Sequence, residues 1–237
     1  MITFLDRLYR AMFCRGGYGV HSPFVFDLLT TVIEERKLYY CYDRIYPVRL
    51  QILQRADEVT FDNRTHKMNK VLKKYGFTEP EHRLLFRLAN RFQPKTVLTL
   101  GSDFGLTPLY VTDFSKHSDC IVIEPEPSIA SVARAYIHQY AAASVVLRSD
   151  LVEIPDGLDF VVWGAYPFDM QSFERFVPHF HEASVMVIAG INASSHKKSS
   201  WKAVCAHREV TVTIDLGRLG IVFFNPKLHR RTYKSLV

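Results

Sequence analysis

The chain has 237 residues, 48% of them hydrophobic and 23% charged, which is enough for one large domain with its own core. No apolar run approaches the about 20 residues of a membrane span, and the charged N-terminal stretch does not resemble a signal peptide. The four cysteines form no C-x-x-C pair, so a zinc site is disfavoured and reduced thiols in the cytoplasm are expected.

The positive charge is concentrated in the N-terminal part of the chain. Residues 1–95 hold 17 Lys and Arg against 10 Asp and Glu, whereas residues 96–237 hold 13 against 14. A basic segment can bind nucleic acid, but it is more often a solvated helix face. Because no stacking motif or known nucleic-acid module accompanies the charge, a nucleic-acid partner is disfavoured.

Two helices are predicted at the N-terminus. Apolar residues recur at helical spacing over residues 2–13, and the glycines within 16–19 interrupt them. Ser22 and Pro23 are typical of an N-cap and a first helical position, so a second helix over residues 23–33 is expected.

Further helices are predicted before residue 96. Segment 46–55 is one candidate, segment 67–75 is a basic one, and residues 59–61 form either a short edge strand or a loop. Thr78 and Glu81 form a capping-box pattern for a helix over residues 79–92. Residues 1–95 are therefore predicted to be a mainly helical extension.

The remainder, residues 96–237, alternates buried strands with helices. Its strand candidates are apolar on both faces, as in a parallel sheet: 97–101, 120–124, 144–148, 159–163 and 184–189. Its helix candidates are 107–115, 128–140 and 169–180. Segments 210–216 and 220–224 are so close in sequence that they must form an antiparallel hairpin. The predicted fold is a doubly wound, Rossmann-like α/β sheet of five parallel strands plus a C-terminal antiparallel hairpin.

The turn after the first strand predicts a ligand. Gly101 and Gly105 bracket it, and Glu124 ends the next strand 23 residues after Gly101. In doubly wound sheets such a turn approaches the ligand, and such an acid binds ribose hydroxyls. Asp103 occupies the place where a dinucleotide fingerprint has its middle glycine, and its carboxylate would repel a pyrophosphate. A nucleoside ligand without phosphate, such as S-adenosylmethionine, is therefore favoured; the alternative is that the two glycines only permit tight packing.

With these motifs the segment 79–233 resembles class I S-adenosylmethionine-dependent methyltransferases. The stretch from Leu98 to Gly105 is similar to the first motif of that family, and Trp201 with IDLGRLGIVFF is similar to the ending of O-methyltransferases. The segment Gly19–Leu29 resembles the leader of a bacterial subgroup. The resemblance implies cofactor contacts from Leu100, Gly101, Ser102, Asp103, Gly105, Glu124, Pro125, Ser149, Asp150 and Gly164, with Glu124 at the ribose and Asp150 near the adenine.

The chain also departs from the family. Thr99 replaces the acid that usually opens the first motif, and Gly164, Ala189 and Gly190 stand where metal-dependent members carry carboxylates. Divalent cations need several oxygen ligands, so no metal site is expected. Weak candidates for a catalytic residue or general base are Tyr166, Asn192 and His196.

Two classes of function remain open. One is a metal-independent methyltransferase acting on a small molecule, and the other is a non-catalytic relative that serves as a cofactor-binding or interaction module. An RNA methyltransferase is a weaker alternative, because Gly164-Ala165-Tyr166-Pro167 differs from the signature of amino-group methylators. No membrane association is expected, and the oligomeric state is left open, a homodimer included.

Overall fold

The computed structural model describes Arg10, Cys14, Gly16, Gly17 and residues 19–235. These residues divide into two compact units. The central unit consists of Lys37–Glu153 and Gly164–Tyr166, and the terminal unit of Met1–Arg36, Ile154–Trp163 and Pro167–Val237. The helix predicted over residues 2–13 falls mostly outside the described residues. The division into an extension 1–95 and a domain 96–237 stays a prediction.

The elements follow the predicted alternation. The helices are, in chain order, α1 (Pro23–Leu28), α2 (Tyr40–Gln54), α3 (Met68–Tyr75), α4 (Glu79–Phe92), α5 (Leu106–Thr112), α6 (Pro127–Tyr140), α7 (Met170–Phe176) and α8 (Ser195–Ala206). The strands are β1 (Glu58–Phe61), β2 (Arg64–Lys67), β3 (Thr96–Leu100), β4 (Asp119–Ile123), β5 (Ser144–Arg148), β6 (Leu158–Trp163), β7 (Phe180–Ala189), β8 (Val212–Asp215), β9 (Leu219–Phe223) and β10 (Arg231–Lys234). No described helix is long and apolar enough to cross a membrane.

The central unit contains three parallel strands and a separate hairpin. β4 pairs in parallel with β3 on one side and β5 on the other, so that Leu100 lies opposite Ile123 and Ile123 opposite Arg148. This register brings the carboxyl ends of all three strands to one edge. β1 and β2 form an antiparallel hairpin whose two turn residues, Asp62 and Asn63, have left-handed backbones.

The terminal unit contains the predicted end of the sheet. β6 and β7 are parallel, and β9 is antiparallel to both β7 and β8. The mostly parallel α/β fold and the C-terminal hairpin are therefore confirmed. β10, which pairs in parallel with β8, was not predicted, because its sequence RTYK carries no apolar run and is mostly exposed.

Two predicted helix caps are present, and one predicted helix start is shifted by several residues. The Ser22 hydroxyl accepts from the Val25 amide, and Thr78 and Glu81 form the predicted capping box. Helix α2 begins at Tyr40 instead of residue 46, because its first turns already carry the buried side chains of Cys41 and Tyr42. These join the core of the central unit, in which α2, α3 and α5 pack together.

Candidate functional site

The turn after β3 is tightly folded and inaccessible. Gly101 and Gly105 have φ angles of 94° and 96°, and every residue from 101 to 112 is buried. A Cβ atom on Gly101 would lie 2.9 Å from the Ala165 amide nitrogen, and one on Gly105 would lie 3.1 Å from the Ala133 carbonyl oxygen. Both glycines are thus required by backbone conformation and close packing.

Glu124 is joined directly to this turn. Its Oε2 atom accepts hydrogen bonds from the Ser102 amide at 3.0 Å and the Ser102 hydroxyl at 2.6 Å, while Oε1 has a longer contact of 3.4 Å with the Glu126 amide. Burial raises the pKa of Glu124, and the two bonds from Ser102 oppose that rise. Because an ionised carboxylate oxygen offers about two lone-pair sites, Oε2 is fully used and the free accepting capacity lies on Oε1.

Asp103, one of the predicted cofactor contacts, is hydrogen-bonded within the protein. Its Oδ2 atom accepts a 2.7 Å hydrogen bond from the Phe77 amide, just before α4. Burial raises the pKa of Asp103 to about 7, against the opposing effects of the Phe77 amide and the Arg49 charge. The carboxyl group therefore ties the turn to the segment that precedes α4.

A buried polar network extends this tie. Arg49 Nη1 donates to the Phe77 carbonyl at 2.9 Å and contacts His82 Nδ1 at 3.3 Å. Since a guanidinium only donates, Nδ1 must be the acceptor and the proton of the neutral ring lies on Nε2. Nε2 is 3.4 Å from the Thr107 hydroxyl and 3.5 Å from Asp103 Oδ2. Burial, aided by Arg49, keeps the pKa of His82 well below its ordinary value, so the ring stays neutral.

The residues after β6 complete one side of the turn. The Gly164 amide donates to the Leu100 carbonyl at 2.8 Å, and Tyr166 is half-buried. A Cβ on Gly164 would approach the Phe77 ring to 3.3 Å, so this ring covers Gly164. On β3, the buried Thr99 hydroxyl has no hydrogen-bond partner among the residues that the structure describes.

The strand ends beside Glu124 are more open. The Glu124 amide donates to the Arg148 carbonyl at 2.9 Å, which holds the ends of β4 and β5 together. Ser149 and Asp150 follow β5 and are exposed, as is Pro125. The structure thus brings the predicted cofactor residues to one edge of the central unit.

The other two catalytic candidates belong to the terminal unit. The Asn192 side-chain amide donates to the Gly217 carbonyl at 2.8 Å, which is a structural role. His196 is exposed on α8, and its charge contributes to the lowered pKa of Asp169, after the larger effect of the hydrogen bonds from Ser172. Within the described ranges, no group of three or more His, Cys, Asp or Glu side chains is arranged to hold a metal ion.

Sequence reasoning missed the contribution of Phe77, Arg49 and His82. His82 is fully buried beside Leu84 and Leu85, and Arg49 is buried on α2. The available signal was the position of these polar residues on the apolar faces of amphipathic helices. Because buried polar groups require hydrogen-bond partners, such positions indicate a buried polar contact. The sequence held no sign that these partners would come from the turn.

Comparison with solved structures identifies the fold. The chain resembles the SAH-bound methyltransferase PaMTH1 from Podospora anserina, with a TM-score of 0.58 and 8% identity over 86% of this chain and 96% of the other. The chain also resembles the O-methyltransferase TomG from Streptomyces achromogenes in complex with SAM, with a TM-score of 0.56 and 13% identity over 83% of this chain and 94% of the other. For the SAH complex of an O-methyltransferase from Bacillus cereus, the TM-score is 0.54 and the identity is 13% over 84% of this chain and 96% of the other.

At these identities the likeness shows a shared fold, the Rossmann-like fold of these methyltransferases, over nearly the full length of each. No family model matches the sequence, and no curated protein matches it.

Proposed function

We propose that this chain is an S-adenosylmethionine-dependent methyltransferase. The observation that carries the proposal is the position of Glu124, at the carboxyl end of β4 and hydrogen-bonded to the turn after β3. In open α/β folds, ligands bind at the carboxyl ends of the strands, and an acid at this place accepts from ribose hydroxyls. The SAM and SAH complexes of proteins with the same fold support this ligand class.

The residues at this edge fit such a ligand. Glu124 has free accepting capacity on Oε1, and the exposed Asp150 carboxylate is able to accept from an amino group. The Thr99 hydroxyl has no hydrogen-bond partner among the described residues. We assign the methionine part to Gly101, Ser102 and Gly105, the ribose to Glu124, and the adenine to Ser149 and Asp150. Leu100, Pro125 and Gly164 border the same site, and Asp103 acts by fixing the turn.

The Phe77 segment controls access in this proposal. Its ring covers Gly164, and its amide and carbonyl are held by Asp103 and Arg49. A ligand that reaches Gly164 therefore requires the Phe77 ring to move.

Bound S-adenosylmethionine supplies an activated methyl group, and the protein contributes orientation. Methyl transfer requires the acceptor, the methyl carbon and the sulfur to be in line, which side chains achieve by holding both molecules. A hydroxyl acceptor also gains from a nearby base. Tyr166 remains the candidate within the central unit, whereas His196 and Asn192 belong to the terminal unit. The Asn192 amide already donates to the Gly217 carbonyl.

We further propose a small-molecule acceptor and a reaction without a divalent metal. The O-methyltransferases of the same fold support an oxygen acceptor. Gly164 follows β6, Ala189 is the last residue of β7 and Gly190 follows it. The side chains of these three residues offer no ligand atoms.

Three observations favour a second candidate, a relative that has kept the fold and lost the chemistry. The turn is buried from residue 101 to 112, Ser102 already saturates one oxygen of Glu124, and Phe77 covers Gly164. Such a closed site suits an interaction module that no longer binds the cofactor.

Calorimetric titration with SAM and SAH separates the two candidates. A methyltransferase binds both, whereas a module that has lost the site binds neither. If binding is found, tritiated-methyl SAM is then offered with a panel of phenols, catechols and carboxylic acids, in EDTA or in magnesium. Transfer that is equal in both buffers supports the metal-independent reaction, and transfer that requires magnesium contradicts it.

A further inference from the structure

A second surface of the central unit carries concentrated charge. Between Arg64 and Tyr75 the chain has five cations and no acidic residue. We call these five the basic surface; all are exposed, and they are Arg64, Lys67, Lys70, Lys73 and Lys74.

Helical geometry groups the lysines on one side. On α3 the buried residues are Met68, Val71 and Leu72, which belong to the hydrophobic core of the unit. With 3.6 residues per turn, Lys70, Lys73 and Lys74 must share the opposite side. Lys67 immediately precedes the helix, and Arg64 begins the strand that leads into it.

Among the described residues, no acidic side chain neutralises the cations of the basic surface. Within the part of the chain that the structure describes, none of the five forms an ion pair or a side-chain hydrogen bond. Glu58 lies opposite Lys67 in the β-ladder, and even these two form no ion pair. In the same unit Arg83 is paired with Glu79 and Arg44 with Asp113.

An aromatic pair, formed by the exposed Tyr75 and the partly buried Phe61, adjoins the cations. The rings of Phe61 and Tyr75 are 4.6 Å apart and inclined by 34°, and the Tyr75 side chain remains 37% exposed. The Lys74 ammonium lies 4.8 Å from the centre of the Tyr75 ring. Phe61 also lies opposite Arg64 across the hairpin, so a cation adjoins each residue of the aromatic pair.

We propose that the β1–β2 hairpin and α3 bind single-stranded nucleic acid. Single strands are bound by grooves or patches of cations that follow the phosphates, together with aromatic side chains on which the unstacked bases pack. A duplex offers phosphates but no free base faces. A bilayer is disfavoured because the apolar side of α3 is buried within the protein. This inference is independent of the proposed function. It revises the sequence-based expectation, which rested on the absence of a stacking motif and of a known nucleic-acid module.

Fluorescence anisotropy with a labelled 20-nucleotide oligo(U) tests the proposal. Each neutralised phosphate contributes about −0.7 to the slope of log affinity against log salt for single strands. Full engagement of five cations therefore predicts about a hundredfold loss of affinity between 50 and 200 mM NaCl. Oligo(dT) of the same length distinguishes RNA from DNA as the preferred strand.

Two variants and one control variant separate charge from stacking. The triple variant Lys70→Glu, Lys73→Glu, Lys74→Glu should bind oligo(U) at least tenfold more weakly, whereas the matched triple variant Lys116→Glu, Arg134→Glu, Lys202→Glu should bind it as the wild type does. Tyr75→Ala should weaken oligo(U) binding and leave inorganic polyphosphate binding unchanged. Urea unfolding of each variant checks that the fold is intact.

Several results would overturn the proposal. They are no oligo(U) binding at 50 mM NaCl, equal losses in the two triple variants, or tighter binding to a duplex or to phosphatidylserine vesicles than to oligo(U). An equal loss of oligo(U) and polyphosphate binding in Tyr75→Ala would refute base stacking. None of these outcomes bears on SAM binding, so the two proposals stand or fall separately.

Discussion

The Ser102 hydroxyl lies 2.6 Å from Glu124 Oε2, and the Ser102 amide donates to the same oxygen at 3.0 Å. One residue of the turn after β3 thus holds the carboxylate at the end of β4 with both of its donors. A hydrogen bond to an ionised group stabilises the charged form.

Ser102→Ala should therefore raise the pKa of Glu124, because the hydroxyl bond that favours the carboxylate is lost while burial is unchanged. The measurement is a carboxyl ¹³C NMR titration of glutamate-labelled protein. Ser131→Ala, on the exposed surface of α6, is the control and should leave the titration unchanged. An unaltered Glu124 pKa in Ser102→Ala would show that the hydroxyl bond is absent in solution.

Gly101→Ala should destabilise the protein more than Gly157→Ala. Both glycines have positive φ angles, so both variants incur backbone strain of about 1–2 kcal/mol. A Cβ on Gly101 also lies 2.9 Å from a backbone nitrogen, whereas one on Gly157 has no atom within 4 Å. Urea unfolding of the two variants measures the difference, and equal losses of stability would mean that close packing does not explain Gly101.

Arg49→Met should lower the free energy of unfolding by about 1–3 kcal/mol, because the buried Phe77 carbonyl loses its donor. Arg55→Met is the matched control. Its exposed ion pair with Asp57 is of a kind that contributes at most about 1 kcal/mol. If both variants unfold at the same urea concentration as the wild type, Arg49 does not hold the Phe77 segment.

Asp103 should make stability depend on pH. Its pKa in the folded protein, about 7, is above the ordinary 3.8, so the folded state binds the proton more tightly. Its contribution to the free energy of unfolding is complete below about pH 4 and is lost as pH rises towards 7. The free energy falls by no more than about 1.4 kcal/mol per pH unit. The charges that affect it are those of Arg49, Glu81 and Glu124, with His82 held neutral.

Comparison of wild type with Asp103→Asn isolates this effect, because the other titrating groups are common to both. The stability of the wild type relative to the variant should fall between pH 4 and 7 and stay level above that range. Urea unfolding at each pH unit provides the curves. Parallel curves for the two proteins would contradict a raised pKa of Asp103.

Much of the fold could be predicted from local sequence. Strands such as β3 and β6 are apolar on both faces, and Thr78 with Glu81 marked the start of α4. β10 was not predicted, because its polar residues carry no strand pattern and it forms a strand only through pairing with β8. Asp62-Asn63 had the turn chemistry of a tight hairpin and could have identified β1 and β2.

The candidate site was predictable only in part. Gly101 and Glu124 follow strands, so the parallel register determines where they lie. The bond between Asp103 and Phe77 joins two loops 26 residues apart, and no periodicity encodes such a contact. The cofactor-binding roles assigned to these residues are predictions that ligand-binding measurements test.

The most direct test of the central claim is calorimetric titration of SAH into wild type, Glu124→Gln and the neighbouring control Glu126→Gln. Hydrogen bonds to a charged group contribute about 1.5–3 kcal/mol, so the neutral amide should weaken binding at least tenfold. We expect wild type and Glu126→Gln to bind SAH with equal affinity. Failure of the wild type to bind SAH, or equal affinity in Glu124→Gln, would contradict a nucleoside site built on Glu124.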